Sequence, residues 1–137
     1  FGCGWGYLSA EVLEKGNPGS LALFEAHHPS LKAAERNLAP MAGEVKLAAN
    51  WCDLTSEPVA RQFDWIVMNP PFHAGRASEP DIGKAFIAAA SKALVPGGRL
   101  LMVANRKLPY ERALAQGFRR VEEKEVRDGF KVVEAMR

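Results

Sequence analysis

Short apolar runs alternate along this chain with segments whose apolar residues recur at helical spacing, and this alternation constrains the fold more than any other feature. The runs typical of buried strands are residues 21–24, 45–49, 63–68 and 99–104. The helical patterns cover residues 7–15, 29–39, 81–94 and 110–116. Two final runs, 119–125 and 130–136, are joined through a turn at Asp128-Gly129. The order predicts an open α/β sheet of Rossmann-like type, mostly parallel and wound on both faces, with a C-terminal antiparallel hairpin.

Composition limits the class of protein. A length of 137 residues predicts one domain, residues 1–137, with one hydrophobic core. The net charge of +2 permits an anionic partner but is far from the dense basic face of a stand-alone nucleic-acid binder. The two cysteines, Cys3 and Cys52, lack disulfide or metal-ligand spacing, so we expect reduced thiols, a cytoplasmic location and no metal. No apolar run approaches the roughly 20 residues of a membrane span, and we expect no membrane partner.

The first residues form a glycine-rich turn at Gly2, Gly4 and Gly6. Such a turn lets the backbone approach a ligand closely and opens a helix. Its G-x-G-x-G spacing departs from the dinucleotide pattern G-x-G-x-x-G, which disfavours a nicotinamide cofactor. Because these turns normally follow a buried strand, we expect the first strand of the sheet to be largely missing and the chain to be N-terminally truncated.

Two acidic residues follow predicted strands, at whose carboxyl ends ligands of open α/β sheets bind. Glu25 is placed where a carboxylate can accept hydrogen bonds from a ribose diol, although alone it could be a solvated loop acid. Asp53 could accept a bond from an adenine amino group, or it could cap a helix or turn.

The most informative motif is Asn69-Pro70-Pro71-Phe72, which ends a strongly apolar run. The prolines cannot donate to a strand ladder, so the chain leaves the sheet there with a rigid backbone. The Asn69 side-chain carbonyl and the Pro70 main-chain carbonyl can together accept both protons of a planar amine. That arrangement directs the nitrogen lone pair out of the plane, toward a methyl sulfonium. Phe72 supplies a face on which a flipped base can stack.

With these motifs the chain resembles class I S-adenosylmethionine-dependent methyltransferases of the "small domain" group. Within that group it is most similar to bacterial small-subunit ribosomal RNA guanine-N2 methyltransferases. The resemblance runs nearly end to end and is carried by the following segments: Phe1-Gly2-Cys3-Gly4-Trp5-Gly6, Asn69-Pro70-Pro71-Phe72-His73, residues 81–98, Val103-Ala104-Asn105 with Leu108-Pro109-Tyr110, and Phe130-Lys131-Val132-Val133.

The resemblance implies S-adenosylmethionine as cofactor. It implies that the glycine turn borders the methionine part, with Glu25 on the ribose and Asp53 on the adenine. Phe1 and Asn69 complete the implied cofactor-binding set. The implied catalytic set comprises Asn69 and Pro70, which bind the target amine, and Phe72, which stacks on guanine. Family members also carry an N-terminal, methyltransferase-like half that helps to bind RNA, and we expect this truncated chain to lack it.

Several neighbouring residues have alternative interpretations. His73 could take part in the chemistry, but a loop or capping role is the simpler one. Four basic residues near the same sheet edge are either phosphate contacts or scattered solvating charges: Arg76, Arg106, Lys107 and Arg112. Tyr110 could contact the base or anchor its own helix.

The predicted partner is ribosomal RNA or the small ribosomal subunit. The alternative targets are adenine N6 in a nucleic acid and a protein glutamine, because both use the same fold and a similar Asn-Pro-Pro motif. Leu108-Pro109-Tyr110 and Phe72 favour guanine. An alternative of another class is a methyltransferase-like module that binds RNA without catalysis, but degeneration would first erode the glycine turn and Asn69-Pro70-Pro71-Phe72, and both are intact.

Overall fold

The computed structural model describes residues 1–71 and 79–137. The elements are α1 (Tyr7–Gly16), β1 (Ser20–Glu25), α2 (His28–Ala42), β2 (Lys46–Trp51), β3 (Phe63–Met68), α3 (Glu79–Ala93), β4 (Leu94–Asn105), α4 (Glu111–Gly117), β5 (Arg120–Arg127) and β6 (Phe130–Met136). This order confirms the predicted α/β class with its closing hairpin. No helix within the described ranges is long and apolar enough to cross a membrane.

The chain divides into two compact units, residues 1–54 and 55–137. In the first unit β1 and β2 are parallel, with Ser20 opposite Lys46 and Glu25 opposite Trp51. Its core, on the α2 side of this pair, is formed by the buried side chains of Leu23, Leu31, Ala34 and Leu38. The assignment of residues 1–137 to one methyltransferase domain remains a prediction.

Helix α2 extends beyond its predicted end at Ala39, through Pro40 to Ala42. Pro29 lies in the first turn, where the missing N–H would have no partner within the helix. Pro40 lies in the last turn and removes one helical hydrogen bond, but Ala42 beyond it is buried. Continuing the helix therefore keeps an apolar side chain in the core.

The second unit contains a four-stranded sheet in the order β3-β4-β6-β5. Strands β3 and β4 are parallel, with Met68 opposite Met102, and β6 is antiparallel to both β4 and β5. Side chains on β3, β4 and β6 alternate between two faces. One face is buried and includes Ile66, Met68, Leu100, Met102, Ala104, Val133 and Ala135, whereas the other is half-buried or exposed.

Strand β4 starts earlier than predicted, at Leu94 instead of Arg99. Leu94 is buried and pairs with Phe63, and the register then shifts before Trp65 pairs with Arg99. Gly97, with φ of 79°, lies in this irregular stretch. The Pro96-Gly97-Gly98 segment therefore forms an irregularity within the strand, since burial of Leu94 keeps the chain beside β3.

Candidate active site

The glycine turn has left-handed backbone at all three glycines, with φ of 63° at Gly2, 54° at Gly4 and 101° at Gly6. The Gly6 N–H donates to the Cys3 carbonyl at 2.9 Å and closes the turn at the start of α1. A Cβ on Gly4 would meet no atom within 4 Å, whereas one on Gly6 would lie 3.2 Å from Leu38 Cδ1. Gly4 therefore leaves space for a ligand, and Gly6 permits close packing on α2.

Glu25, at the carboxyl end of β1, holds this turn in place. Its Oε2 accepts a hydrogen bond from the Gly4 N–H and its Oε1 one from the His27 N–H, each at 2.9 Å. The side chain is half-buried, so it is not the solvated loop acid that the sequence left open. Each carboxylate oxygen has about two acceptor positions, so each can still accept one bond from a ligand hydroxyl.

The end of β2 is hydrogen-bonded to the end of β1, where Glu25 lies. The Cys52 N–H donates to the Glu25 carbonyl at 3.1 Å, and the Trp51 indole N–H donates to the Ala26 carbonyl at 2.8 Å. Asp53 follows directly and is half-buried. The structure thus brings together the glycine turn, Glu25 and the segment that carries Asp53, as the sequence predicted. Their roles in cofactor binding remain predictions.

Phe1 and Cys3 join the glycine turn to Phe24 of β1. The Phe1 ring packs edge-on against Phe24 with 5.1 Å between ring centroids, and it is buried. The Cys3 N–H donates to the Phe24 carbonyl at 3.1 Å. Burial raises the pKa of the Cys3 thiol to about 11. With its ring packed in this way, any contact of Phe1 with a cofactor would come chiefly from its backbone.

The predicted amine-binding residues lie in the second unit. Asn69 follows the buried Met68 at the end of β3 and is exposed, and Pro70 is buried. The Asn69 side chain is exposed and has no hydrogen bond among residues 1–71 and 79–137, so its oxygen can accept one from a ligand. Phe72, His73 and Arg76 lie outside the described residues.

The loop after β4 is fixed by a buried lysine. Lys131 is 3% exposed, and its Nζ donates to the Leu108 carbonyl at 2.9 Å and to the Glu111 carboxylate. Tyr110 is 1% exposed, and its ring occupies the space beside Gly83 of α3. Of the two roles considered for Tyr110, the structure supports the anchor. Among the described residues no group of three or more His, Cys, Asp or Glu side chains could hold a metal ion.

A family model for the methyltransferase small domain matches residues 1–134 of this chain. The chain belongs to this family. Ribosomal RNA small subunit methyltransferase C of Salmonella choleraesuis is 36% identical over 117 residues, which are 85% of this chain and 33% of that protein. The corresponding protein of Shewanella amazonensis is 36% identical over 122 residues, 86% of this chain and 34% of its own length. The chain thus spans about a third of the curated relatives it matches.

Solved structures agree with this family membership. The 16S rRNA N2 G1207 methyltransferase of T. thermophilus, in complex with AdoMet and guanosine, matches with a TM-score of 0.83 and 30% identity. The match covers 98% of this chain and 35% of that protein. The S-adenosylmethionine-dependent methyltransferase SibL, at 15% identity and a TM-score of 0.73, shares the fold.

Among the exposed aromatic residues, Trp51 and Phe130 were given no functional role from the sequence. Trp51 is 69% exposed although its indole is fixed by a hydrogen bond, and it pairs in register with Glu25. Phe130 is 46% exposed at the first position of β6. The Asp128-Gly129 turn predicted where Phe130 lies in the fold, but the exposure of its ring is visible only in three dimensions.

Proposed function

We propose that this chain is the catalytic part of an S-adenosylmethionine-dependent N-methyltransferase that acts on guanine N2 in small-subunit ribosomal RNA. The observation that carries the proposal is the similarity to the T. thermophilus enzyme, whose structure contains AdoMet and guanosine and matches 98% of this chain. Asn69 and Pro70 at the end of β3, and Gly4 and Glu25 in the first unit, provide the chemistry that this activity needs.

The residues of the first unit fit the cofactor. The open side of Gly4 allows the backbone to approach the methionine part, and the remaining acceptor positions of Glu25 match the two ribose hydroxyls. Asp53, near Glu25, is proposed to accept a bond from the adenine amino group. When bound, S-adenosylmethionine supplies an electrophilic methyl group.

The residues of the second unit fit the acceptor. The exposed Asn69 oxygen and the Pro70 carbonyl accept the two protons of the exocyclic amine and orient it. Guanine's amine is a weak nucleophile because its lone pair is delocalised into the ring, and these acceptors favour a more pyramidal nitrogen. Orientation supplies most of the acceleration, and the methylated amine loses its proton readily without a dedicated base. Phe72 is proposed to stack on the guanine.

Several wider assignments belong to the same proposal. Residues 1–137 form the catalytic domain of a longer cytoplasmic protein whose N-terminal half helps to bind RNA. The partner is ribosomal RNA or the small subunit. Adenine N6 and protein glutamine remain the alternative acceptors, and a panel of guanine-containing, adenine-containing and glutamine-containing substrates distinguishes them.

The deciding experiment compares the parent protein with Asn69→Ala. We expect the variant to lose methyl transfer to ribosomal RNA on the order of 100-fold, because it lacks one positioned hydrogen-bond partner. Its affinity for S-adenosylhomocysteine should stay within about tenfold, or about 1.4 kcal/mol. Radiolabelled methyl transfer and calorimetric titration measure the two quantities.

The control variant is Gln116→Ala, which removes an exposed amide at the end of α4 in the same unit. It should match the parent in both measurements. Equal turnover by Asn69→Ala and the parent would exclude the acceptor role of Asn69. Failure of the parent to bind S-adenosylhomocysteine would count against the cofactor assignment.

A further inference from the structure

The tip of the β5–β6 hairpin lies at the same end of the sheet as the carboxyl end of β3, which Asn69 follows. Strands β3 and β4 are parallel, so their carboxyl ends share this edge, and Asn105 at the end of β4 is opposite Phe130. The Arg106 N–H donates to the Gly129 carbonyl at 2.9 Å and binds the loop after β4 to the hairpin turn. The loop and the tip therefore form one continuous surface.

Three basic side chains lie in or beside this loop. Arg106 and Lys107 follow β4 directly. Arg112 follows Glu111, whose carboxylate is bound by Lys131, the residue after Phe130. All three basic residues are exposed, and none has an ion-pair partner in the part of the chain that the structure describes.

Other basic residues of the sheet differ in this respect. Arg99 pairs with Glu134 at 2.7 Å, and Lys124 pairs with Glu122 at 3.0 Å. Arg127, at the hairpin tip itself, lies 3.4 Å from Asp128. The basic groups left without a carboxylate partner at the end of β4 are therefore available to an anion that comes from outside.

Phe130 adds an aromatic face to this surface. By strand alternation it lies on the same side of the sheet as Val132 and Val103, the side without the buried core. Asn69 directly follows Met68, the last residue of β3, and extending the register by one residue brings it opposite Val103. Phe130 and Asn69 are two strand spacings apart across the sheet and two residue rises apart along the strands. These two perpendicular distances combine to about 12 Å. A few nucleotides of single-stranded RNA span that distance.

We infer that Arg106, Lys107, Arg112 and Phe130 form a hairpin-tip surface that binds the RNA strand flanking the target guanine. The basic groups bind phosphates, and the Phe130 ring stacks on a nucleobase next to the target. This inference rests on the proposed function, because it places the flanking strand beside the Asn69 acceptor.

The chemistry of the surface favours RNA over a protein partner. The core of a protein interface groups aromatic residues and Met with Arg and is depleted in Lys. In the described part of the hairpin-tip surface, the exposed ring of Phe130 is accompanied by cations without an ion-pair partner, and single-stranded nucleic acid requires this combination.

The test measures binding of a fluorescein-labelled 12-nucleotide RNA with one central guanine, by anisotropy, between 50 and 200 mM KCl and with saturating S-adenosylhomocysteine. The double variant Arg106→Ala/Lys107→Ala should bind more weakly. Its plot of log affinity against log salt should lose a slope of about 1.4, the contribution of two single-strand phosphate contacts. Phe130→Ala should weaken binding roughly fivefold to 100-fold with an unchanged slope, and Phe130→Leu should not restore it.

The matched control is Arg61→Ala/Arg119→Ala. These two exposed arginines also lack an ion pair among the described residues, but they precede β3 and β5 and lie at the opposite sheet edge. Equal losses in both double variants would mean that only net charge matters and would overturn the inference. So would parental affinity in the hairpin variants.

Titration of S-adenosylhomocysteine and methyl transfer by the parent report separately on the proposed function. Thermal melts should be the same for all variants because every mutated side chain is exposed.

Discussion

Gly83 of α3 provides the sharpest test of packing in the second unit. A Cβ at this position would lie 2.0 Å from the Tyr110 hydroxyl oxygen, 2.2 Å from Cζ and 2.6 Å from Cε1. Tyr110 is buried, so its ring cannot move into solvent without leaving a large cavity. Ejecting a buried aromatic ring costs about 3–5 kcal/mol, whereas overpacking with a local shift costs about 1–3 kcal/mol.

Gly83→Ala should therefore be accommodated by overpacking with a local shift. Its cost should be near the upper limit of that range, because all three distances are far shorter than van der Waals contact. The gain in helix propensity offsets about 1 kcal/mol. The net loss in the free energy of unfolding is about 2 kcal/mol, equivalent to about 8 °C in melting temperature. Calorimetry and denaturant titration measure both quantities. The control is Gly16→Ala, whose Cβ would meet Val12 Cγ1 at an ordinary 3.6 Å, and it should leave stability unchanged or slightly higher.

A double-mutant cycle identifies the cause. Tyr110→Leu removes the ring atoms that the new Cβ would overlap, so it should cost at least about 1 kcal/mol less in the Gly83→Ala background than in the parent. Additive effects, or a Gly83→Ala variant as stable as the parent, would refute the overlap between Gly83 and Tyr110.

Two further predictions concern ionisable groups. The hydrogen bond from Lys131 lowers the pKa of Glu111, so the bonded carboxylate stabilises the fold above the ordinary glutamate pKa, and this contribution is lost as pH falls through the lowered value. Glu111→Gln should reduce stability by about 1 kcal/mol at pH 7, since the carboxylate is exposed, and the difference should vanish in acid; a difference constant down to pH 2 would contradict this. Cys3, with a pKa of about 11, should react with iodoacetamide at pH 8 on the order of 100 times more slowly than in urea-unfolded chain, as followed by mass spectrometry. Equal rates would show that the thiol is not buried.

Much of the fold could be predicted because each element has a strong local signal. Among the described residues the hydrophobic period identified the helices and the more buried strands, and Asp128-Gly129 placed the closing hairpin, whose β5 is exposed throughout. The extension of α2 through Pro40 and the early start of β4 were missed. Pro40 is a local signal for the end of a helix, and Pro96-Gly97-Gly98 is one for a turn. Burial of Ala42 and of Leu94 outweighs these signals, and burial depends on tertiary contacts that the sequence does not show.

The strand-end positions of the predicted site residues follow from the sequence, but their hydrogen bonds do not. The sequence placed Glu25 at a strand end, and the structure places it beside the glycine turn. The two hydrogen bonds from main-chain N–H groups to its carboxylate could not be predicted, because they depend on the side-chain rotamer and on the path of the turn. Whether Arg106 is paired with a carboxylate likewise depends on which residues lie beside it on neighbouring strands, and the sequence alone does not give the strand order.

The pairing of β6 has a practical consequence for surface attachment. The Arg137 N–H donates to the Gly98 carbonyl at 3.0 Å, and the Gly97 N–H donates to the Arg137 carbonyl at 3.1 Å. These bonds hold Arg137 at the edge of the sheet opposite to Asn69 and the hairpin tip. A biotin acceptor peptide fused after Arg137 would therefore anchor the protein to a sensor chip with its proposed RNA-binding edge directed toward the flowing solution.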